Sequence, residues 1–198
     1  RPSIPIYWIN LPKSRRRRAS IDQQLRDLMW TDRSHRVAGV RGSLGMAHLE
    51  TLVHGTDAAR LPLSRLSCTR KRVCRATEVA VLLSHVNAVR QAWRAGHERV
   101  LIAEDDVDLA LFDESVLDDI VSGLPAGWGS LQLYTGNPKV LETLFERTQG
   151  AVPRRLADDG QLVHDAWSNA LVLYSRRGLG DVVTAFGAEG PIRLPNRW

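Results

Sequence analysis

Three observations predict an α/β fold, with helices on both faces of a mainly parallel sheet, for this 198-residue chain. Short apolar, β-branched runs alternate with amphipathic stretches of helical spacing, the order that builds parallel sheets through helical crossovers. Acidic residues crowd directly behind one of the strand-like runs, and in open α/β sheets ligands bind beyond the strand carboxyl ends. The composition, 43% hydrophobic and 25% charged, is average globular usage and excludes long disorder, collagen-like repeats and a pure coiled coil. At roughly 100–200 residues per domain the length fits a single domain over 1–198.

The elements follow in order. Ile4 to Leu11 is an aromatic and β-branched run closed by Asn10 and Pro12, a first buried strand. Ser14 is placed to cap a helix whose Ile21, Leu25, Leu28 and Met29 share one face. His35 to Val40 reads as a second strand. Arg41 to Arg75 is rich in Gly, Ser and Arg and gives no pattern beyond a short helix near Gly45 to His54. From Thr77 to Ala95 the residues Val79, Leu82, Leu83, Val86, Val89 and Trp93 mark the apolar side of a helix that stops at Gly96. Arg99 to Ala103 is a short buried strand. Beyond it, Asp113 to Ser122 reads as helix, Gly129 to Tyr134 as strand, Pro138 to Arg147 as helix, Ala170 to Ser175 as strand and Gly178 to Phe186 as helix. There is no internal repeat. The strictly apolar stretches, such as Val79 to Leu83, fall far short of the ~20 residues that a membrane-spanning helix needs. The opening RPSIPIYWINL lacks the tripartite pattern of a signal peptide.

Charge is unevenly divided. Residues 1–100 carry 19 Lys and Arg against 7 Asp and Glu, and residues 101–198 carry 8 against 15, balances of +12 and −7 that sum to the net +5. A basic half attracts phosphate, while clustered carboxylates suit a hard divalent cation, and one site can use both. Cys68 and Cys74, the only cysteines, match no metal knuckle and read as ordinary thiols, with a local disulfide open to an exported protein.

The most pointed feature is VLIAEDDVDL, in which Glu104, Asp105, Asp106 and Asp108 follow the third strand. Like charges this close repel unless a cation or hydrogen-bond donors compensate, and Mn²⁺ or Mg²⁺ with oxygen ligands is the simplest compensation. The plain alternative is a set of solvated or helix-capping acids. Arg15 to Arg18 stand near the start of the first helix, where one or two guanidiniums, Arg17 and Arg18 among them, could grip a diphosphate. The others read as a solvated basic surface. Ser84 and His85 lie inside a helix, where a packed histidine is commoner than a catalytic one. No Gly-x-Ser-x-Gly, phosphate-loop or Gly-x-Gly-x-x-Gly motif occurs, which removes several large enzyme classes. The six tryptophans suit core and sugar-stacking roles equally.

Three segments together resemble a family. IYWINLPKSRRRRASIDQQL is similar to the "I-x-x-I-N-L-x-x-S-x-x-R" opening of glycosyltransferase family 25, the lipooligosaccharide and procollagen galactosyltransferase group. TEVAVLLSHVNAVRQAW looks like its "G-E-I-G-C-x-x-S-H" helix, and VLIAEDDV like its "L-I-L-E-D-D-V" strand end. The resemblance implies a glycosyltransferase A type, Rossmann-like three-layer sandwich, with the nucleotide-binding part over about 1–110 and the acceptor-binding part over about 111–198. It further implies a UDP-hexose donor, a divalent metal, often Mn²⁺, and inversion at the anomeric carbon. Carried over by position, Asn10 and Arg18 lie near the nucleotide, Ser84 and His85 belong to the helix motif, and Glu104, Asp105 and Asp106 hold the metal. Glu104 and Asp105 also contact the nucleotide sugar. Asp165 is the candidate base, with Asp158 and Asp159 behind it. The chain departs from the pattern at Thr77-Glu78-Val79-Ala80, which lacks the glycines, and at Leu194 to Trp198, which lacks the family's Pro-x-Asp element.

The expected activity is therefore transfer of a hexose, galactose first, from UDP to a saccharide, glycolipid or hydroxylated protein acceptor. A metal-dependent phosphoryl-transfer enzyme would need a second carboxylate cluster, and none is found in the sequence. The alternatives are a basic non-catalytic module binding nucleic acid or anionic glycolipid, or a degenerate inactive transferase. No specific nucleic-acid partner is expected under the leading reading. A low cysteine count favours the cytoplasm, with peripheral association at the inner membrane, over the endoplasmic reticulum lumen.

Overall fold

The computed structural model describes residues 3–54, 67–69, 72–110, 112–134 and 170–188. Its regular elements are β1 (Ile6–Asn10), α1 (Arg15–Asp27), β2 (Ser34–Ala38), α2 (Met46–His54), β3 (Ser67–Thr69), β4 (Arg72–Val73), α3 (Ala76–Arg94), β5 (Arg99–Glu104), α4 (Glu114–Gly123), β6 (Ser130–Gln132), β7 (Leu171–Ser175) and α5 (Arg176–Phe186). The helix read over Pro138 to Arg147 lies outside the described residues.

Five strands form one open sheet in the order β2-β1-β5-β7-β6, and β3 and β4 form a separate small hairpin. β1 pairs in parallel with β2 on one side and β5 on the other. β7 runs antiparallel to both β5 and β6. The sheet is thus α/β but mixed, and the expectation of a mainly parallel sheet holds only for its β2-β1-β5 half. Alternation within Ala170 to Ser175 reports burial, whereas a strand's direction is set by the connection that delivers it.

Side-chain alternation along the strands builds the layers. Ile6 and Trp8 of β1, Leu101 and Ala103 of β5, and Leu171 and Leu173 of β7 face one side, where Ile21 and Leu25 of α1 and Leu117 of α4 cover them. Tyr7, Ile9, Val100 and Ile102 face the other side, against Ala88, Val89 and Ala92 of α3 and Leu179 and Val183 of α5. Burying apolar area on both faces at roughly 25 cal/mol per Å² makes this helix-sheet-helix sandwich the main source of stability. A third cluster joins Leu49 of α2, Cys74 and the first half of α3.

Three local expectations are corrected. Met29 does not share the core face of α1: it follows the helix, has φ of 57°, and is 89% exposed. Ser14 stands at the α1 N-cap but its side chain makes no capping hydrogen bond. Cys74 is disulfide-bonded rather than an ordinary thiol, and no cysteine is free among the described residues. The β3-β4 hairpin was not legible within Arg41 to Arg75, because two- and three-residue strands carry too little alternation to stand out.

Candidate functional site

The parallel half of the sheet ends in a cleft. β1, β2 and β5 all point toward it, so the residues at and just beyond their carboxyl ends (Leu11, Gly39, Val40, Glu104 and Asp105) line it together with Arg17 of α1 and Ser84 and His85 of α3. Its volume is about 180 Å³. This is the location at which open α/β sheets place ligands.

Asp105 sits at the centre. It is only 6% exposed, and each of its oxygens has a partner: Asn10 Nδ2 donates to Oδ2 over 2.6 Å, and Arg17 NH1 lies 3.1 Å from Oδ1. Burial pushes the Asp105 carboxyl above its ordinary range, and neighbouring Asp106 and Glu104 add to this, while Asn10 and Arg17 act in the opposite direction. Asn10 is itself buried and bonds through Nδ2 to the Ser14 carbonyl, which ties the end of β1 to the start of α1. The same Arg17 NH1 reaches Asp106 Oδ2 over 3.0 Å, and its NH2 donates to Ser14 Oγ over 3.2 Å. One guanidinium therefore bridges two carboxylates across the mouth of the cleft.

The flanking groups are held from α1 and α3. His85 Nε2 lies 3.1 Å from Glu104 Oε1. Ser84 Oγ donates to the Ala80 carbonyl over 2.7 Å and accepts the Val40 N–H over 2.9 Å, so its hydroxyl pins the chain after β2 to α3. Gln24 of α1 clamps the loop behind the acids, donating to the Val107 carbonyl and accepting the Leu109 N–H over 2.6 Å. Sequence reasoning missed Gln24, since a glutamine at helical spacing carries no signal of what it faces.

The structure gathers Asn10, Arg17, Ser84, His85, Glu104 and Asp105 around one cleft, with Asp106 at its rim. It does not bring Arg18 there: Arg18 pairs with Asp22 one turn along α1, 3.6 Å away. Asp158, Asp159 and Asp165 lie outside the described residues. Of the tryptophans, Trp8 and Trp30 are core residues, and none lines the cleft among the described residues.

Whether these residues suit a divalent cation is answered by their chemistry and charge. Glu104, Asp105 and Asp106 offer hard oxygen ligands. Three carboxylates against the single guanidinium of Arg17 leave a formal excess of two negative charges, counting histidine as neutral. A dication would offset that excess, so these groups suit a hard cation in ligand chemistry and formal charge. Among the described residues no three His, Cys, Asp or Glu side chains are already gathered to hold a metal. Asp105 and Asp106 are instead spanned by Arg17, and Glu104 is turned to His85.

No protein-family model matches the chain, and no curated protein matches it.

Proposed function

We propose that the protein is an inverting hexosyltransferase that uses a UDP-sugar, galactose first, and passes the hexose to a saccharide or hydroxylated acceptor. The observation that carries this reading is the buried Asp105, held between Asn10 and Arg17 at the carboxyl ends of adjacent parallel strands and facing an open cleft. The resemblance of residues 4–108 to family 25 supplies the reaction class, and a glycosyltransferase A type fold is the finer form of the α/β sandwich that this reading requires. In this reading Arg17 contacts the donor's diphosphate; His85 Nε2 meets the Glu104 carboxylate, and Asn10 holds that of Asp105. In the reaction the acceptor hydroxyl attacks the anomeric carbon, the bond from that carbon to the diphosphate oxygen breaks, and a carboxylate takes the hydroxyl proton. Asp165 is the proposed base, with Asp158 and Asp159 as the other candidates. When bound by Glu104, Asp105 and Asp106, Mn²⁺ or Mg²⁺ would offset charge developing on the departing diphosphate.

Among the described residues no helix is long and apolar enough to cross a membrane. Within this reading the disulfide at Cys74 favours an oxidising compartment over the reducing cytoplasm.

Calorimetry with UDP tests the proposal. The wild-type protein should bind UDP more tightly with Mn²⁺ than in chelator, by about tenfold or more, and Asp106→Ala should lose that gain. A screen for UDP-sugar hydrolysis then names the donor. Absence of UDP binding with and without Mn²⁺ removes the reading, and salt-dependent retention on duplex DNA or anionic liposomes would put the basic binding module in its place.

A further inference from the structure

A second hollow, of about 750 Å³, shares no residue with the cleft. Met29 lines it yet is 89% exposed, the most exposed large hydrophobic side chain among the described residues. That exposure is built into the way α1 ends. The Trp30 N–H donates to the Leu25 carbonyl over 2.7 Å and the Met29 N–H to the Arg26 carbonyl over 2.9 Å, the paired bonds of a Schellman cap. Such a cap needs one left-handed residue, which is usually glycine because any Cβ is crowded there. Here it is Met29, with φ of 57°, the only non-glycine residue of positive φ among the described residues. A methionine at this position costs backbone strain and sets an apolar side chain in water, and at 89% exposure the rest of the chain does little to offset either.

The same patch carries both a knob and a socket. Beside the Met29 knob stands Arg26, exposed on the last turn of α1, whose NH2 donates to the Gln23 side-chain carbonyl over 2.7 Å, a neutral partner that leaves the charge uncancelled. Asp27, next in the chain, accepts from the amide of the same Gln23 over 2.8 Å. The socket is apolar where Leu28 and Trp30 join the core. It is also acidic: Asp32, Asp113 and Glu114 line it against the one guanidinium of Arg33, which lies over the Trp30 ring and meets Glu114 Oε2 at 2.5 Å. Three carboxylates less one guanidinium leave two formal negative charges, with Asp32 and Asp113 exposed. A foreign peptide would need the socket alone and gives no reason for the strained knob beside it. A second copy uses both at once, and a surface that meets itself across a two-fold axis must carry both.

We propose that this patch joins two copies of the chain in a two-fold dimer, with Met29 of each seated in the hollow of the other and Arg26 of each facing Asp32 of the partner subunit. The inference does not depend on the transferase reading. Both clefts stay open in such a dimer, because the cleft lies at the carboxyl ends of β1 and β2, whereas Ser3 and the Leu28 to Arg33 segment precede their amino ends. With one hollow and one protruding side chain per copy, the contact is of the transient class.

Sedimentation equilibrium from about 1 µM to about 1 mM reads the dimer dissociation constant, with thermal unfolding of each variant as a check on folding. Wild type should dimerise within that range. Met29→Gly suits the left-handed position, so it should fold at least as well as wild type, yet it should weaken the dimer by about tenfold or more. Arg26→Glu and Asp32→Arg each set like charges against one another across the axis and should weaken it too, whereas the double variant restores a Kd near the wild-type value. A wild type that is monomeric at every concentration overturns the proposal, as does a Met29→Gly protein that dimerises as tightly as wild type. Charge reversals without effect, or not relieved in the double variant, overturn the pairing of Arg26 with Asp32.

Discussion

At the scale of the residue, the site turns on how a buried carboxyl group is held between two partners. Asn10 is 1% exposed and spends its amide on Asp105 Oδ2 and the Ser14 carbonyl. Asn10→Ala strands a buried acceptor and is expected to lower stability by about 1–3 kcal/mol, read as a drop in denaturation midpoint. Asp105→Ala alone should cost a similar amount, and the double variant clearly less than the sum, because the second change removes the group that the first left unpaired. Additive effects would show that the 2.6 Å contact is not the source of the coupling. Both residues were legible in the sequence, Asn10 as the residue closing a buried strand and Asp105 as the middle of an acid run. Legibility failed on α1, where Arg17 faces the cleft and Arg18 pairs with Asp22. Successive helical residues point about 100° apart, so a run of four arginines names the turn but not the member that faces a ligand.

At the scale of the element, the boundaries set by side-chain chemistry were the hardest to read. Gly178 reads as the start of the last helix, yet α5 begins at Arg176 with Ser175 as its cap, which accepts the Gly178 N–H over 3.2 Å. The Ser175 hydroxyl also donates to the Trp128 carbonyl over 2.6 Å, and its N–H donates to the Gly129 carbonyl over 2.9 Å. This fastens the β7-α5 corner to the segment leading into β6. Gly178 is needed because the two backbones touch: a Cβ there would lie 2.0 Å from the Gly129 carbonyl oxygen. Backbone atoms on both sides cannot yield as a flexible side chain would. Gly178→Ala should therefore destabilise by about 2 kcal/mol or more despite alanine's better helix propensity, which a denaturant titration would measure. A substitution at Gly180, whose Cβ would meet only the Trp93 ring at 3.3 Å, should cost less. A smaller loss at Gly178 than at Gly180 would show that the corner can slide apart.

At the scale of the whole molecule, the two ends of the parallel strands carry different chemistry. Three parallel strands and the helices on either face were legible because apolar runs of period two and helical stripes alternate in sequence. The reversed strand β7 was not, because direction follows from chain tracing rather than from periodicity. The cleft lies at the carboxyl ends, and at the amino ends Tyr7 of β1, His35 of β2 and His97 before β5 form a cluster. The Tyr7 hydroxyl is 3.1 Å from His97 Nε2, the Tyr7 and His35 rings are 4.6 Å apart, and Arg176 of α5 stacks on Trp93 of α3 at 3.5 Å. Burial, followed by the nearby His35 and Arg176, holds His97 below its ordinary pKa, so the folded protein resists protonation there more than the unfolded chain does. Above the ordinary histidine range neither state is charged and His97 contributes no pH dependence. As pH falls through the ordinary histidine value of about 6.5 the unfolded chain takes up the proton first, and stability drops until the lowered folded value is passed. The melting temperature should accordingly fall over that window in wild type and fall less in His97→Gln, which keeps a polar partner for Tyr7 without titrating. Because this cluster sits at the far end of the sheet from Asp105, His97→Gln should leave UDP affinity at neutral pH unchanged. A loss of affinity would mean that the amino ends of the strands also set the geometry of the cleft.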